Sequence, residues 1–395
     1  MRIAQVSPLY ESVPPKLYGG TERIVSWLTE ELVRQGHDVT LFASGDSVTS
    51  ARLVPISARS LRLDEECKDE YPHIIRQLEM VIENAAEFDI IHWHTDYFHF
   101  PLSRRLATPH VTTLHGRLDI PDLVPLYQEF TDIPVISISN SQRKPLPMAN
   151  WQGTVYHGMA RDLIQPRYEP GEYLAFLGRI SPEKGVDTAI EIAKRAGMKL
   201  KIAAKVSKAD TPYFLEQIKP LLNHPLVEYL GEIDEQGKID FLGNAYALLF
   251  PITWPEPFGI VMIEAMASAT PIIAFPGGSV AEVMDEGRSG FVVTNVEDAV
   301  KAVSKIAGFD RRLPRQVFEQ RFTAERMTRD YVAIYEKVIA EQGAHLQPAS
   351  FRIQYHSLPE DSNSIESTAV NTITESTKKA RPTILPPRDS KFVDS

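Results

Sequence analysis

The chain has 395 residues, 43% hydrophobic and 24% charged, and its 42 Lys and Arg against 52 Asp and Glu leave a net charge of −10. That is enough for two or three domains with full cores, and it excludes a general nucleic-acid binder, because no basic excess exists to hold a phosphate backbone. The single cysteine, Cys67, excludes an intrachain disulfide and a cysteine-built zinc site, and it fits a reducing compartment.

Met1 runs straight into a strand, Arg2 to Val6, with no signal-like start. No apolar run is long enough to span a bilayer, so the expected location is the cytoplasm. Tyr18-Gly19-Gly20-Thr21-Glu22 leads into a helix with Ile24, Trp27, Leu28, Leu32 and Val33 on one face, and Gly36 stops it. His37 to Ala43 reads as a strand and Ile74 to Ala86 as a helix. Further strands are expected at Ile90 to Trp93, Val111 to Leu114 and Val135 to Ile138. From Gly158 to Gly171 the pattern breaks, with Pro166 and Pro170, and a linker is expected there. Alternation then restarts. Strands are expected at Tyr173 to Gly178, Leu200 to Ala204, Val227 to Leu230, Ala247 to Pro251 and Pro271 to Phe275. Helices are expected at Val186 to Ala196, Pro212 to Leu222, Ile260 to Ala269, Val296 to Ala307 and Thr323 to Ala340. Beyond about Gln347, Ser, Thr and Pro dominate, and a disordered tail is expected.

Apolar strands alternating with helices point to parallel sheets covered on both faces. The expected fold class is α/β, with two tandem doubly wound Rossmann-like domains. Residues 1–160 form the first, 161–343 the second, a closing helix spans 323–340, and 344–395 is the tail. Ligands in such folds bind outside the carboxyl ends of the strands, so the cleft between the domains is the expected site.

The densest chemistry lies between Pro251 and Met266. Pro255 and Pro257 hold Glu256 in a stiff loop, Gly259 permits close backbone approach, and Glu264 follows in the next helix. A helix start favours anions and hydroxyl acceptors, and a carboxylate at Glu264 suits the vicinal hydroxyls of a ribose. By itself the stretch reads equally as a Pro-rich turn with a capping glutamate and an exposed helical one.

Two glutamates with Pro257-Phe258-Gly259 after the first resemble the glutamate signature of glycosyltransferase family 4, the retaining group 1 enzymes of the GT-B fold. Tyr18-Gly19-Gly20-Thr21-Glu22, Leu114-His115-Gly116 and Gly178-Arg179-Ile180-Ser181-Pro182-Glu183-Lys184-Gly185 extend the likeness, which runs from Met1 to about Ile339. The resemblance implies two domains facing each other across a cleft, the first on the acceptor side and the second on the donor side. It implies a nucleotide-diphosphate sugar as donor, UDP- or GDP-linked, a hydroxyl acceptor of unknown identity, and no cofactor or metal. Arg179 and Lys184 would neutralise the leaving diphosphate. Gly19 and Gly20 would face the pyrophosphate or the acceptor, although Gly-Gly alone is an ordinary turn. His115 would contact the transferred sugar. Glu256 would act as nucleophile, sugar contact or front-face partner. The Phe258, Gly259 and Ile260 amides would hold the sugar, Glu264 the ribose, and the loop at Glu232 would lie against the base. Gly277-Gly278-Ser279 with Glu282 resembles the loop that shapes the pocket wall.

Several residues depart from that pattern or stand outside it. Lys205 follows a strand where the family often has glycine, as a phosphate partner or a surface lysine. His157-Gly158 replaces the usual Asn-Gly. His92, His94 and His99 gather near a strand end, as metal ligands or as satisfied or acceptor-facing groups. Arg59, Arg62, Arg104 and Arg105 are the candidates for touching a lipid surface, but no strong membrane stripe is evident. A sugar-nucleotide epimerase or a phosphorylase would need another acid–base set or a pyridoxal-phosphate lysine, and neither is apparent. A non-catalytic nucleotide-sugar binder would not need both Arg179 and Glu256.

Overall fold

A computed structural model describes residues 1–17 and 19–343, with side chains up to 341. Tyr18 and the expected tail at 344–395 lie outside the described residues. Two parallel sheets organise the chain. The first uses β1 (Arg2–Val6), β2 (Asp38–Ala43), β3 (Arg52–Pro55), β4 (Ile90–Trp93), β5 (His110–Thr113), β6 (Pro134–Ser137) and β7 (Asn150–Thr154), in the order β3-β2-β1-β4-β5-β6-β7. Its helices are α1 (Gly20–Arg34), α2 (Tyr71–Glu83), α3 (Phe100–Ser103) and α4 (Leu123–Glu129). The second uses β8 (Tyr173–Arg179), β9 (Lys199–Lys205), β10 (Val227–Gly231), β11 (Ala247–Phe250), β12 (Ile272–Ala274) and β13 (Gly290–Val292), in the order β10-β9-β8-β11-β12-β13. Its helices are α5 (Val186–Ala196), α6 (Thr211–Tyr213), α7 (Glu235–Gly243), α8 (Ile260–Ala267), α9 (Val280–Val283) and α10 (Val296–Lys305). Two more, α11 (Arg312–Arg321) and α12 (Ala324–Gly343), close the described chain.

Central strands are apolar runs because both faces are covered. β4, β5, β6 and β11 are buried at every residue. In each sheet the order reverses beside the first strand, between β1 and β4 and between β8 and β11. Such switch points open a crevice at the carboxyl ends, and every site loop below leaves a strand there.

One expected helix is altered. Over 212–222 the chain makes a wide helical turn, Phe214–Ile218, then a tight one, Lys219–Asn223. Pro220 has no N–H to donate, and its ring crowds the preceding turn, so a regular ladder cannot continue through it.

The closing helix returns to the first sheet. Tyr331 and Tyr335 of α12 are fully buried and bond to Thr113, Gln5 and His92 of β5, β1 and β4. The expected linker is tied down by arginines. Arg315 donates to the carbonyls of Arg161, Ile164 and Ala267, and Arg326 to those of Tyr156 and His157.

Candidate active site

The loop after β8 carries the cations. Arg179 ends the strand and pairs with Glu183 at 2.6 Å and with Asp210 at 3.5 Å. Lys184 closes the next turn, and Gly185 follows at φ +68°. A Cβ on Gly185 would lie 2.1 Å from the Pro251 carbonyl oxygen, so glycine is required where this turn meets the loop after β11. Lys184 Nζ reaches Glu256 Oε2 at 2.5 Å and sits 4.7 Å over the Trp254 ring. Trp254 donates its indole N–H to the same oxygen at 2.9 Å. The two sequence stretches therefore meet through Lys184, Trp254 and Glu256, while Arg179, at the start of the same loop as Lys184, is held by Glu183 and Asp210.

Backbone contacts hold Glu256 in place. Ser279 N–H donates to its carbonyl at 2.9 Å, and Gly278 lies so close that a Cβ there would be 2.2 Å from the same oxygen. Ser279 Oγ donates to the Phe258 carbonyl. Gly259, at φ +76°, then opens α8.

Glu264 is buried rather than exposed on its helix, at 4% of its free surface. Lys238 of α7 holds its Oε1 at 2.5 Å. Lys238 also lies 3.3 Å from Glu235, which pairs with Arg23 of α1 on the opposite lobe. Burial pushes the neighbouring Glu22 carboxyl up to about 7, with Arg23 and Lys205 opposing that rise. Lys205 therefore lies within electrostatic reach of Glu22 on the first lobe. Glu232, after β10, lies 3.9 Å from Arg62, which also pairs with Glu11.

On the first lobe, Gly20 starts α1, and Ile260 is the nearest atom a Cβ on it would meet, at 3.5 Å. Gly19 packs on Pro15. His115 follows β5. Its ring stacks on His157 at 5.3 Å and 16°, and His157 meets the edge of Phe258 at 4.7 Å. This ladder joins His115 to the Glu256 loop across the cleft. Burial lowers the His115 imidazole to about 3, so it is neutral near pH 7. Phe258 itself is buried in the core. Glu282 clasps the lobes by accepting from Asn140 N and Ser141 N, each at 2.7 Å, and from the Tyr156 hydroxyl at 2.9 Å.

Of the three grouped histidines, His92 and His94 stay together, their rings 4.0 Å apart, and His99 leaves them. His92 and His94 turn toward Tyr335, Gln5 and His115, whereas His99 bonds Ser103 and Thr112 and stacks on Trp93. Of the arginines considered for a lipid surface, Arg62 is engaged as above, and Arg104 pairs with Glu129 and Asp132. No helix among the described residues is long and apolar enough to cross a membrane.

Sequence reasoning missed Arg23, Glu235, Lys238 and Trp254. A basic residue beside Gly-Gly-Thr-Glu was the signal for Arg23, and Trp254 stands two residues before Glu256 in the stretch already singled out; Glu235 and Lys238 carry no motif.

Two sequence profiles match in tandem, Glycosyltransferase Family 4 over residues 18–165 and Glycosyl transferases group 1 over 163–309. An uncharacterized glycosyltransferase of Methanocaldococcus jannaschii is 27% identical over 54% of this chain and 62% of its own length. The phosphatidyl-myo-inositol mannosyltransferase of Mycobacterium tuberculosis is 25% identical over 89% of this chain and 100% of its own. The solved structure of HepE from Anabaena, in complex with UDP and glucose, aligns with a TM-score of 0.64 at 18% identity, covering 85% of this chain and all of that one. With its two Rossmann-like lobes in GT-B arrangement, the chain belongs to the group 1 glycosyltransferases.

Proposed function

We propose that this glycosyltransferase moves a sugar from a nucleoside-diphosphate donor to a hydroxyl acceptor with retention at the anomeric carbon and without a metal. One observation carries the reading: Lys184, on the loop that Arg179 begins, meets Glu256 at the switch point of the second sheet. Negative charge grows on the diphosphate as the bond from the anomeric carbon to its phosphate oxygen breaks. A fixed guanidinium and ammonium stabilise that state more than the bound donor. They also do the work otherwise given to a metal cation. The Gly19 and Gly20 backbone approaches the pyrophosphate from the first lobe.

Glu256 and the amides of Phe258, Gly259 and Ile260 hold the sugar from one side, and His115 meets it from the other. A neutral, weakly basic His115 fits a hydrogen-bonding contact better than a general base. The acceptor oxygen then bonds the anomeric carbon on the face the phosphate leaves, and its proton passes to the departing phosphate oxygen. Glu264, held through one oxygen by Lys238, takes the ribose, and the loop at Glu232 lies against the base. The mannosyltransferase relative supports a hexose as the transferred sugar and the UDP- and glucose-bound neighbour a UDP-linked donor, with GDP the alternative that the family resemblance implies. The acidic balance argues against nucleic acid as a partner. Cytoplasmic residence fits one cysteine and a nucleotide-sugar donor.

The test is turnover of UDP-, GDP- and ADP-sugars with a chelator present. One donor should be consumed, and Glu264→Ala should raise its KM. Consumption of none without added metal, with the chain folded, would refute the metal-free reading; an unchanged KM in Glu264→Ala would remove the ribose contact.

A further inference from the structure

His115 has one ring nitrogen engaged and one not. Its Nε2 lies 2.9 Å from His94 Nδ1, while its Nδ1 is buried with no hydrogen-bond partner among the described residues. Beyond His94 the contacts continue unbroken. His94 Nε2 lies 2.8 Å from Gln5 Oε1, Gln5 Nε2 3.3 Å from the Tyr335 hydroxyl, and that hydroxyl 2.6 Å from His92 Nδ1. His92 Nε2 then lies 2.7 Å from Thr113 Oγ1, whose hydroxyl donates to Tyr331 at 3.2 Å. The β1–β4 register sets Gln5 beside His92, and α12 brings in both tyrosines from the far end of the chain. Gln5, His92, Thr113, Tyr331 and Tyr335 are fully buried, and His94 nearly so, which leaves little room for water to compete.

The proton sense follows from donor counting. Tyr335 has one proton and two neighbours, and the imidazole nitrogen is a stronger acceptor than an amide group. It therefore donates to His92 Nδ1 and accepts from Gln5 Nε2. That turns Gln5 Oε1 toward His94, which must donate through Nε2. A neutral imidazole carries one N–H, so His94 Nδ1 accepts, and His115 donates to it through Nε2. Burial supports neutral rings throughout: it holds His92 and His94 well below the usual histidine range, as it does His115.

We propose that Tyr335, acting through Gln5 and His94, fixes His115 as the Nε2–H tautomer, so that its Nδ1 lone pair accepts a hydroxyl of the transferred sugar. This rests on the proposed place of His115 at that sugar. Tyr335, Gln5 and His94 are positioning residues. The tautomer is set only while α12 is seated on the first sheet, which ties the donor cleft to the helix that closes the described chain.

Long-range proton–nitrogen correlation spectra of the full chain, labelled at histidine, read each ring's tautomer. The wild type should show His115 and His94 each as a single Nε2–H form. Tyr335→Phe should give a mixture at His115 and lower kcat about tenfold or more, with the donor KM nearly unchanged. His94→Asn, whose amide offers an oxygen to His115 and an N–H to Gln5, should keep the Nε2–H form and most turnover, whereas His94→Leu should lose both. A wild-type His115 carrying its proton on Nδ1, or an unchanged single tautomer in Tyr335→Phe, would overturn the proposal. If the tautomer responds but His115→Ala keeps full turnover, the sugar role of His115 falls and the tautomer chain stands.

Discussion

Replacing Lys184 with alanine should separate its two jobs. In the cleft Lys184 holds Glu256 at 2.5 Å, with the two side chains 17% and 10% exposed. In the proposed reaction it faces the leaving diphosphate. Two unit charges about 4 Å apart interact by about 4 kcal/mol at an effective dielectric near 20, which is about a thousandfold in rate. Turnover of the donor should fall by about that factor. Among the described residues, breaking the pair also leaves the Glu256 carboxylate with the Trp254 N–H alone. Loss of one partner from a buried pair costs ~3–5 kcal/mol, and roughly 2–4 is expected at this partly open wall. The melting temperature should drop by about 4–8 °C. Lys184→Ala with Glu256→Gln should recover most of that stability, because no charge is then stranded, and none of the activity. Donor hydrolysis by a quench assay and thermal melts read the two effects separately. A single mutant that keeps more than about a tenth of wild-type turnover while melting normally would refute the placement of the diphosphate.

Three further outcomes are expected. Burial depresses His92, His94, His99, His115 and His157 below the ordinary value of 6.5. The unfolded chain then binds more protons, so the stability they contribute is complete above about 6.5 and is lost as pH falls. Glu22 and Asp96, raised by burial to about 7 and about 6, act in the opposite sense. Those five histidines, with His37 and His110 lowered by burial in the same sense, make seven groups against two, so the melting temperature should be lower at pH 5 than at pH 7, and a higher value at pH 5 would contradict it. Gly197→Ala meets open space at φ +66° and should cost about 1–2 kcal/mol, whereas Gly185→Ala drives a Cβ to 2.1 Å from Pro251 and should cost more and lower turnover. Denaturant melts and donor turnover of the two variants check the order. Arg315→Ala strands the carbonyls of Arg161, Ile164 and Ala267 and should cost about 3–5 kcal/mol in the same assay.

Legibility in the sequence tracked burial. The buried strands β4, β5, β6 and β11 announce themselves as apolar runs. The edge strands β3, β7 and β13 do not. Asn150-Trp151-Gln152-Gly153-Thr154 is half-buried throughout and is a strand because β6 pairs with it. Helix α7 carries Gly237 in its first turn, and α11 is studded with Arg and Gln, so neither shows a clear apolar stripe. Arg179, Lys184 and Glu256 stood out in the sequence because their loops follow apolar strands and match a family motif. The partners that hold the site were hidden by distance along the chain. Lys238 reaches Glu264 from another helix, His157 stacks on His115 from the connector, and Tyr335 meets Gln5 across 330 residues. Each contact exists only once both sheets and α12 have assembled. Glu282 was read as pocket wall, and only the folded chain reveals it as a clasp between lobes.

The most direct measurement is a proton NMR time course of the transferred sugar, started from a donor of known anomeric configuration with a chelator present. Retaining transfer should give an initial product with the same anomeric configuration as the donor, before any mutarotation. An initial product of inverted configuration would contradict front-face transfer at the Arg179, Lys184 and Glu256 site.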